Sequence, residues 1–337
     1  MTSQKEHNAL LTQSYEAGSV LSLRRDEAAR SDDAESPRQE VKVKIKNLQQ
    51  PWTLSCGMVV DVLRCEETTT KAVSGTQTAF LKLYDWRFAA QYRDDQGVES
   101  WTEESAAAYT DYVLSSKVDE FLRRLSDKQF RDDTEEDWEA GQNEAALAND
   151  MHDMHCAETT VYSRLLGIQG KTVPRVIVFV ELDIAPGNVD LNDRQRRHFQ
   201  IKGILLQYIP GFSLRDLGTK APPGSWQEIV DQAVEIARSL GDHDVLNKDV
   251  RPDNFIVSHR ASNGNSPEGF KVFMIDFGQS RVRRDDESDF DWGRAKWRQD
   301  EEGAVGLVMQ HRLRNLGAIS YTPSARYLEF AEGEDEE

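Results

Sequence analysis

Three side chains with oxygen atoms suited to binding a cation stand in two short neighbouring segments of the sequence. Asp249 and Asn254 lie five positions apart in the polar, proline-containing segment 246–257, and Asp276 ends an apolar run that begins at Phe273. Carboxylate and amide oxygens are ligands that Mg²⁺ prefers, with phosphate and water completing its shell. The spacing predicts two carboxylates and one amide at the mouth of a two-stranded ribbon.

The residue types alone are weak evidence, because Asp, Asn, Pro and Gly also populate ordinary turns. The combination is more specific. Arg251 and Pro252 follow Asp249 within an Asp-x-x-x-x-Asn pattern, strand-like runs flank a polar turn, and Ile-Asp-Phe-Gly comes downstream. Such a combination favours a catalytic loop over an ordinary turn.

These segments resemble the catalytic loop and the metal-binding Asp-Phe-Gly of the protein-kinase-like family. The resemblance covers about 41–313 and implies an α+β, bilobal fold with an antiparallel-sheet N-lobe and a shortened, mainly helical C-lobe. It leads us to expect a disordered polar leader or frayed helix at 1–40, an N-lobe at 41–209 with an acidic helical insertion at about 94–154, a C-lobe at 210–328 and an acidic tail at 329–337.

The resemblance implies a role for each residue of the loop. Asp249 would orient an acceptor hydroxyl and take its proton, while Asn254 and Asp276 would hold Mg²⁺ on the phosphates of ATP. Arg251 stands where protein serine/threonine kinases carry lysine, so it would offset charge on the transferring phosphate. Its planar guanidinium differs in geometry from the point charge of lysine.

The nucleotide contacts implied by the resemblance lie earlier in the chain. Lys82, in the third predicted strand, would contact the α- and β-phosphates; the alternative is a lysine that faces solvent. Gly57 is the sole glycine where kinases carry a glycine-rich phosphate loop. Backbone groups of Gln207, Tyr208 and Ile209 would bind the adenine edge.

A helix is predicted to carry the partner of the strand lysine. Glu158, Tyr162, Leu165 and Leu166 follow helical spacing and would share one face. A carboxylate on such a face needs a partner if it is buried. The alternatives are that Glu158 faces water or that Glu144 is the true counterpart.

Two helices and one hairpin frame the loop. Ser225 and Glu228 form a predicted capping box that starts a helix ending near Gly241. A second amphipathic helix is predicted at 301–313. The runs FIVS and KVFMI on either side of the polar turn predict a hairpin.

Three departures from the kinase pattern leave the substrate class open. Asn247 and Lys248 replace the usual His-Arg, the glycine loop is degenerate, and Ala-Pro-Glu is absent. The first predicts no switch through a phosphorylated activation loop. A protein serine/threonine kinase-like enzyme is the main hypothesis; an aminoglycoside- or choline-kinase-like phosphotransferase and a nucleotide-binding pseudokinase scaffold are the alternatives. The expected partners are ATP, Mg²⁺ and a hydroxyl-bearing protein or small molecule.

Composition limits the other partners and the location. The net charge of −18 argues against nucleic acid and anionic membranes as partners. Cys56, Cys65 and Cys156 lack paired metal-ligand spacing and suit a reducing compartment. There is no secretory signal pattern and no apolar run of bilayer length. We expect an intracellular monomer, cytoplasmic or nuclear.

Overall fold

The computed structural model describes residues 14–26, 40–63, 77–187, 189–260, 269–317 and 319–331. Strands and helices are both abundant, which confirms the α+β class. The chain divides into two compact units: a barrel unit, Met1–His155 with Val176–Tyr208, and a helical unit, Cys156–Arg175 with Ile209–Glu337. The chain enters the helical unit at Cys156, returns to the barrel unit at Val176 and leaves it again after Tyr208. Residues 156–175, which were predicted as part of the N-lobe, therefore belong to the helical unit.

The barrel unit is built on six strands that close into a barrel in the order β1-β2-β3-β4-β6-β5, with every neighbouring pair antiparallel. Alternating apolar and polar residues, as in VKVKIK, place one side of each strand in the core. The strands are β1 (Val20–Arg25), β2 (Glu40–Gln49), β3 (Cys56–Leu63), β4 (Gln77–Leu83), β5 (Val176–Asp183) and β6 (Gln200–Gln207).

Strand β1 corrects the expectation of a disordered leader or frayed helix at 1–40. It pairs with β2 on one side and with β5 on the other, so it closes the barrel. Leu23 is fully buried in the core. The apolar residues around Ser22 are too few to show the alternation that identifies a strand in a sequence. The segment is stabilised by pairing with β2 and β5, which are distant in the chain. Residues 1–13 and 27–39 of the predicted leader lie outside the described part.

Most of the helices of the barrel unit lie between β4 and β5, where an acidic insertion was predicted at about 94–154. They are α1 (Ala90–Asp95), α2 (Glu103–Leu114), α3 (Val118–Leu125), α4 (Lys128–Thr134) and α5 (Ala140–Arg164), with α6 (Asp193–Arg197) following β5. From Cys156 onward, the residues of α5 belong to the helical unit. A buried ion pair joins α1 to α5, since Arg93 Nη2 lies 2.6 Å from Glu144 Oε1. Helix α2 starts at Thr102, whose hydroxyl accepts the Ser105 N–H.

The helical unit contains the predicted hairpin as an antiparallel pair, β9 and β10. Its elements are β7 (Phe212–Ser213), α7 (Leu217–Lys220), α8 (Trp226–Asp242), β8 (Val245–Asn247), β9 (Phe255–Arg260), β10 (Gly269–Met274), β11 (Ser280–Val282), α9 (Asp289–Gln299) and α10 (Glu301–Leu313). Gln232 of α8 exchanges two hydrogen bonds with the backbone of β10, at Phe270 and Val272. The turn between β9 and β10 and the end of the predicted acidic tail, 332–337, lie outside the described residues.

Two predicted helix details are wrong. Ser225 forms no capping box, because it belongs to a 3₁₀ turn and its hydroxyl donates to the Pro222 carbonyl. Leu166 does not share the buried face with Glu158: helix α5 ends at Arg164, and Leu166 is 70% exposed in the following 3₁₀ turn. Local spacing could not reveal where that helix stops.

No helix in the described ranges has the length and apolar character needed to cross a membrane.

The barrel unit contains a buried histidine that should make its stability depend on pH. His155 is 4% exposed and its ring meets those of Tyr84 and Phe179. Burial lowers the pKa of His155 from 6.5 to about 4. Because the unfolded chain then binds a proton that the folded chain excludes, stability should fall as pH drops from 6.5 to 4, by about 3 kcal/mol in all.

Urea unfolding of wild type and His155→Leu across this pH range measures the effect. The wild type should lose stability on acidification, and the variant should lose about 3 kcal/mol less over the same interval. His311→Leu, which removes an exposed histidine, serves as the matched control. An equal acid loss in wild type and His155→Leu would contradict the assignment.

Candidate active site

The end of the β9–β10 hairpin brings together two of the predicted metal ligands. Phe255, the first residue of β9, pairs with Met274, the last residue of β10. One step further on, the Ile275 N–H donates to the Asn254 carbonyl at 2.9 Å. Asn254 and Asp276 therefore lie at adjacent strand ends, as the sequence predicted for the mouth of the ribbon.

Asn254 and Asp249 are joined directly. The side-chain nitrogen of Asn254 donates to the Asp249 carbonyl at 2.7 Å and to Asp249 Oδ2 at 3.0 Å. Asn254 is only 5% exposed, so these bonds fix its orientation. Since both contacts use the nitrogen, the amide oxygen is the atom suited to a cation.

Arg251 lies beside the same carboxylate. Its Nη2 is 3.3 Å from Asp249 Oδ2, and its side chain is half exposed. Asp249 itself keeps 21% of its side-chain surface accessible, so solvent and a small substrate group can reach it. The loop thus groups one amide and one cation around a single carboxylate.

Asp276 has a backbone conformation that few residues adopt. Its φ is +66°, in the left-handed region where Asp and Asn are the least disfavoured non-glycine residues. The Gly278 N–H lies 3.4 Å from Asp276 Oδ1 and helps to turn the chain. Strained conformations of this kind persist where surrounding structure holds them, commonly at functional sites.

The turn that carries Asp276 is packed against helix α5. The Phe277 and Tyr162 rings meet edge to face at 5.4 Å, and Phe277, Tyr162 and Glu158 are all fully buried. Burial raises the pKa of the Tyr162 phenol, and the negative charges of Glu158 and Asp276 raise it further. Both carboxylates therefore lie near this phenol. Tyr162 was expected only as part of an apolar face, and its helical spacing from Glu158 was the available signal.

The start of the loop is held by a residue that differs from the kinase pattern. Asn247 is fully buried, its Oδ1 accepts the Asp249 N–H at 2.8 Å, and its own N–H donates to Glu301 Oε1 at 2.7 Å. Asn247 also pairs with Ser280 through the β8–β11 ladder, which joins the two loop segments. Asn247 therefore positions Asp249, a role that the sequence did not reveal.

Behind Asn247 lies a buried ion pair. Lys296 Nζ donates to Glu301 Oε2 and, at 3.0 Å, to the Val245 carbonyl. Both side chains are below 5% exposure. Burial lowers the pKa of Lys296, and the charge of Glu301 opposes that shift. Nothing in the spacing of these residues identified them beforehand.

In the barrel unit, Lys82 is not a solvent-facing lysine. It is 6% exposed within β4, and its ammonium lies 5.1 Å from the centroid of the Tyr84 ring. Its neighbours in the ladder are Gly57 on β3 and Ile204 on β6. The solvent-facing alternative for Lys82 is therefore wrong.

Gly57 is close to Lys82, but it does not lie in a loop. It is the second residue of β3, with β2 on one side and β4 on the other. A Cβ at this position would come within 2.8 Å of the tip of the Phe80 ring, so a larger residue here would displace that ring. Its placement in a phosphate-binding loop is thus corrected, and its part in nucleotide binding stays a prediction.

The remaining predicted contacts are divided between the units. Gln207 ends β6, Tyr208 follows it in the barrel unit, and Ile209 begins the continuation of the helical unit. Glu144, the alternative partner for the strand lysine, already forms the buried ion pair with Arg93. Glu158 belongs to the helical unit and Lys82 to the barrel unit, and their pairing stays a prediction.

The donor set fits a magnesium ion bound mainly through phosphate and water. Asn254 and Asp276 offer only oxygen ligands, the type that this hard cation requires. Among the described residues, no group of three or more His, Cys, Asp or Glu side chains forms a metal site. Two protein oxygens are the number expected for Mg²⁺ that is bound mainly through phosphate and water.

Sequence similarity links the chain to yeast kinases. It is 30% identical over 89 residues to casein kinase I homolog RAG8 of Kluyveromyces lactis, a match that covers 25% of this chain and 16% of that protein. It is 29% identical over 100 residues to casein kinase I homolog 3 of Saccharomyces cerevisiae, covering 24% and 19%. The chain resembles the protein-kinase-like superfamily. The matches span less than a fifth of either relative, and no family model matches the chain.

Solved structures of low identity align with most of this chain. The Rio2 kinase–ADP/Mg²⁺–phosphoaspartate complex from Chaetomium thermophilum has a TM-score of 0.43 and 13% identity, covering 85% of this chain and 61% of that one. The ROP18 kinase domain with AMP-PNP and sucrose has a TM-score of 0.46 and 8% identity, and the alignment covers 92% of this chain and 72% of that one. WaaP in complex with acyl carrier protein has a TM-score of 0.36 and 13% identity, and the alignment covers 84% of this chain and 76% of that one. These weak likenesses leave the site itself as the basis for a functional argument.

Proposed function

We propose that this protein is an ATP- and Mg²⁺-dependent phosphotransferase that acts on a hydroxyl group, with a protein serine or threonine as the main acceptor class. The observation that supports this most is the hydrogen-bonded Asp249–Asn254 pair beside the strained turn of Asp276. For phosphoryl transfer, a protein has mainly to position the reacting groups and to neutralise the charge of the phosphate. A carboxylate, an amide oxygen and a guanidinium in one loop meet those needs.

Asp249 is proposed to accept the proton of the acceptor hydroxyl. The Asn254 amide holds one of its oxygens, and the Asn247 side chain holds its backbone N–H, so the carboxylate is oriented before the acceptor arrives. Preorganisation of this type lowers the barrier because no reorientation is needed during reaction. Arg251, half exposed and 3.3 Å from Asp249, is proposed to offset negative charge on the transferred phosphate.

Asn254 and Asp276 are proposed to hold Mg²⁺ through oxygen atoms. When bound, the ion would neutralise phosphate charge. Phe277 and Tyr162 support this ligand, because their buried ring contact anchors the turn that carries Asp276.

Nucleotide binding is proposed to involve the barrel unit. Lys82 would contact the α- and β-phosphates, and the backbone at Gln207, Tyr208 and Ile209 would bind adenine. Glu158 would pair with Lys82, and the two units would correspond to the N-lobe and C-lobe of a kinase-like fold. These assignments rest on the resemblance together with the burial of Lys82 and Glu158.

One observation favours a second candidate, a pseudokinase scaffold that does not transfer phosphate. Gly57 lies in strand β3, where it pairs with Lys82 of β4 and packs against the Phe80 ring. It is therefore not part of a glycine-rich loop. Absence of nucleotide binding would favour this candidate, and absence of phosphate transfer separates it from the enzyme.

We expect ATP with Mg²⁺ to stabilise the wild-type protein by about 2.7 kcal/mol when the nucleotide is at about a hundred times its dissociation constant. Thermal unfolding with ATP, with and without Mg²⁺, measures this effect. Asp276→Asn should lose most of the magnesium-dependent part, because it removes the negative charge that attracts the cation. Asn is chosen because it tolerates the left-handed backbone at this position.

The matched control is Asp286→Asn, which removes the same charge from an 87% exposed side chain in the helical unit. It should keep the full magnesium-dependent shift. If millimolar ATP fails to stabilise the wild type with or without Mg²⁺, the scaffold becomes the better description.

A further inference from the structure

A second concave site lies in the barrel unit, away from the residues assigned to phosphoryl transfer. It is a cavity of about 300 Å³ whose walls come from α2, α3, α5, α6 and β6 together with the segment after β4. This volume is at the lower end of the range for small-molecule sites, which combine an apolar wall with a few polar groups. None of the predicted kinase residues lines it.

The wall of the cavity is aromatic. Trp86 and Tyr109 pack with their ring centroids 5.4 Å apart, and Tyr109 also meets the Phe199 ring. The Tyr109 hydroxyl is fixed because it donates to the His198 carbonyl at 2.6 Å. These rings are almost completely buried, so they form a fixed wall that a flat apolar ligand could meet at little cost in side-chain entropy.

One buried donor in this wall lacks an acceptor. Trp86 is 2% exposed, and its indole N–H has no hydrogen-bond partner within the described ranges. Most buried N–H groups in folded proteins are paired, and an unpaired one costs free energy. A ligand that brings an oxygen acceptor into the cavity would satisfy it.

The polar rim is formed by basic side chains, although the chain carries a net charge of −18. Arg197, Lys202, His152 and His198 line the cavity, and none of the described lining residues is a carboxylate. Lys202 is already neutralised by Glu181 and Asp26, and His198 lies 3.1 Å from Asp119. Arg197 forms no ion pair with any described residue, and its Nε only approaches the Asp193 carbonyl at 3.4 Å.

We propose that this cavity is a binding site for a small aromatic anion, a molecule with a flat apolar ring and one acidic group such as a carboxylate or sulfonate. The ring would pack against Trp86 and Tyr109, and the acidic group would face the guanidinium of Arg197. A neutral aromatic molecule would leave Arg197 without its counter-charge, and a polar anion without a ring would not fill the apolar wall. The proposal is independent of the proposed kinase function.

The test uses the full-length protein and two matched fluorescent probes. 8-Anilinonaphthalene-1-sulfonate carries the aromatic body and the anionic group, and N-phenyl-1-naphthylamine carries the same body without charge. We expect saturable sulfonate binding that Arg197→Gln weakens by roughly fivefold, the size expected of one partly exposed ion pair. Binding of the neutral probe should be the same in both proteins.

Two further variants locate the site. Ala148→Phe, which adds a ring from the α5 wall, should remove the saturable binding of the sulfonate. Arg123→Gln removes a cation from α3 whose side chain is 72% exposed and does not line the cavity, so it should bind as the wild type does. Circular dichroism and thermal unfolding check that each variant is folded.

Competition separates this site from the proposed nucleotide site. Saturating Mg²⁺-ATP should leave sulfonate binding unchanged. The proposal is overturned if Mg²⁺-ATP displaces the probe, or if folded Arg197→Gln binds the sulfonate as tightly as Arg123→Gln does. The first result would place the probe at the nucleotide site, and the second would show non-specific apolar binding.

Discussion

Replacing Asp249 with Asn is expected to lower the rate of phosphate transfer by about 10² to 10⁴, the usual contribution of a positioned general base. The substitution keeps the shape of the side chain, and its oxygen can still accept the hydrogen bond that Asn254 donates at 3.0 Å. It removes only the charge and the ability to take a proton. Binding of ATP should therefore stay close to that of the wild type.

The measurement is transfer of labelled γ-phosphate to acceptor proteins, with dephosphorylated casein and a heat-inactivated lysate as probes. The same loop supplies a control in Asp253→Asn, since the Asp253 carboxylate pairs with Arg215 at 2.9 Å and is 38% exposed. That variant should transfer phosphate within about twofold of the wild type, as expected when an exposed ion pair of small free energy is lost. Equal rates for Asp249→Asn and Asp253→Asn would contradict the proposed role of Asp249.

The acceptor class is decided by the same assay. Label appearing in protein and depending on Asp249 supports the protein kinase-like proposal. If ATP is turned over only when small hydroxyl compounds are supplied, the aminoglycoside- or choline-kinase-like alternative takes its place. Binding of ATP without transfer to either class, even with manganese, would indicate a scaffold.

The parts of the molecule that could be predicted are those determined by local sequence. The hairpin that carries Asn254 and Asp276 follows from two apolar runs and a polar turn, and helix α8 follows from its apolar stripe. Glu301–Leu313 likewise matches its predicted helix. In each case the buried apolar residues recur with the spacing of the secondary structure, every second residue in a strand and every third or fourth in a helix. This spacing can be recognised in the sequence without knowledge of tertiary contacts.

The parts that could not be predicted depend on contacts between distant residues. Strand β1 is ordered by β2 and β5, and Asn247 is oriented by Glu301, 54 positions later. Ser225 lies in a turn and does not cap the helix that was predicted to start there, and Gly57 lies in a strand where a loop was predicted. No local pattern encodes such partners, because each residue type is also common at the surface or in loops.

Replacing Glu301 with Ala is expected to destabilise the protein by about 3–5 kcal/mol, the usual result of leaving one charge of a buried ion pair without its partner. Lys296 would keep a buried ammonium, and the Asn247 N–H would lose its acceptor. Denaturant unfolding measures the loss, with the slope checked so that a change in the midpoint reflects stability.

A second substitution separates charge from hydrogen bonding. Glu301→Gln keeps an oxygen for the Asn247 N–H but removes the charge that neutralises Lys296, so it should be destabilised while the catalytic loop stays oriented. The double variant Lys296→Met/Glu301→Leu removes both charges from the buried site and should recover much of the stability lost in Glu301→Ala. Phosphate transfer should nevertheless remain low in that variant, because Asn247 would still lack the acceptor that helps it position Asp249. Recovery of stability together with full transfer would show that Glu301 serves the fold alone.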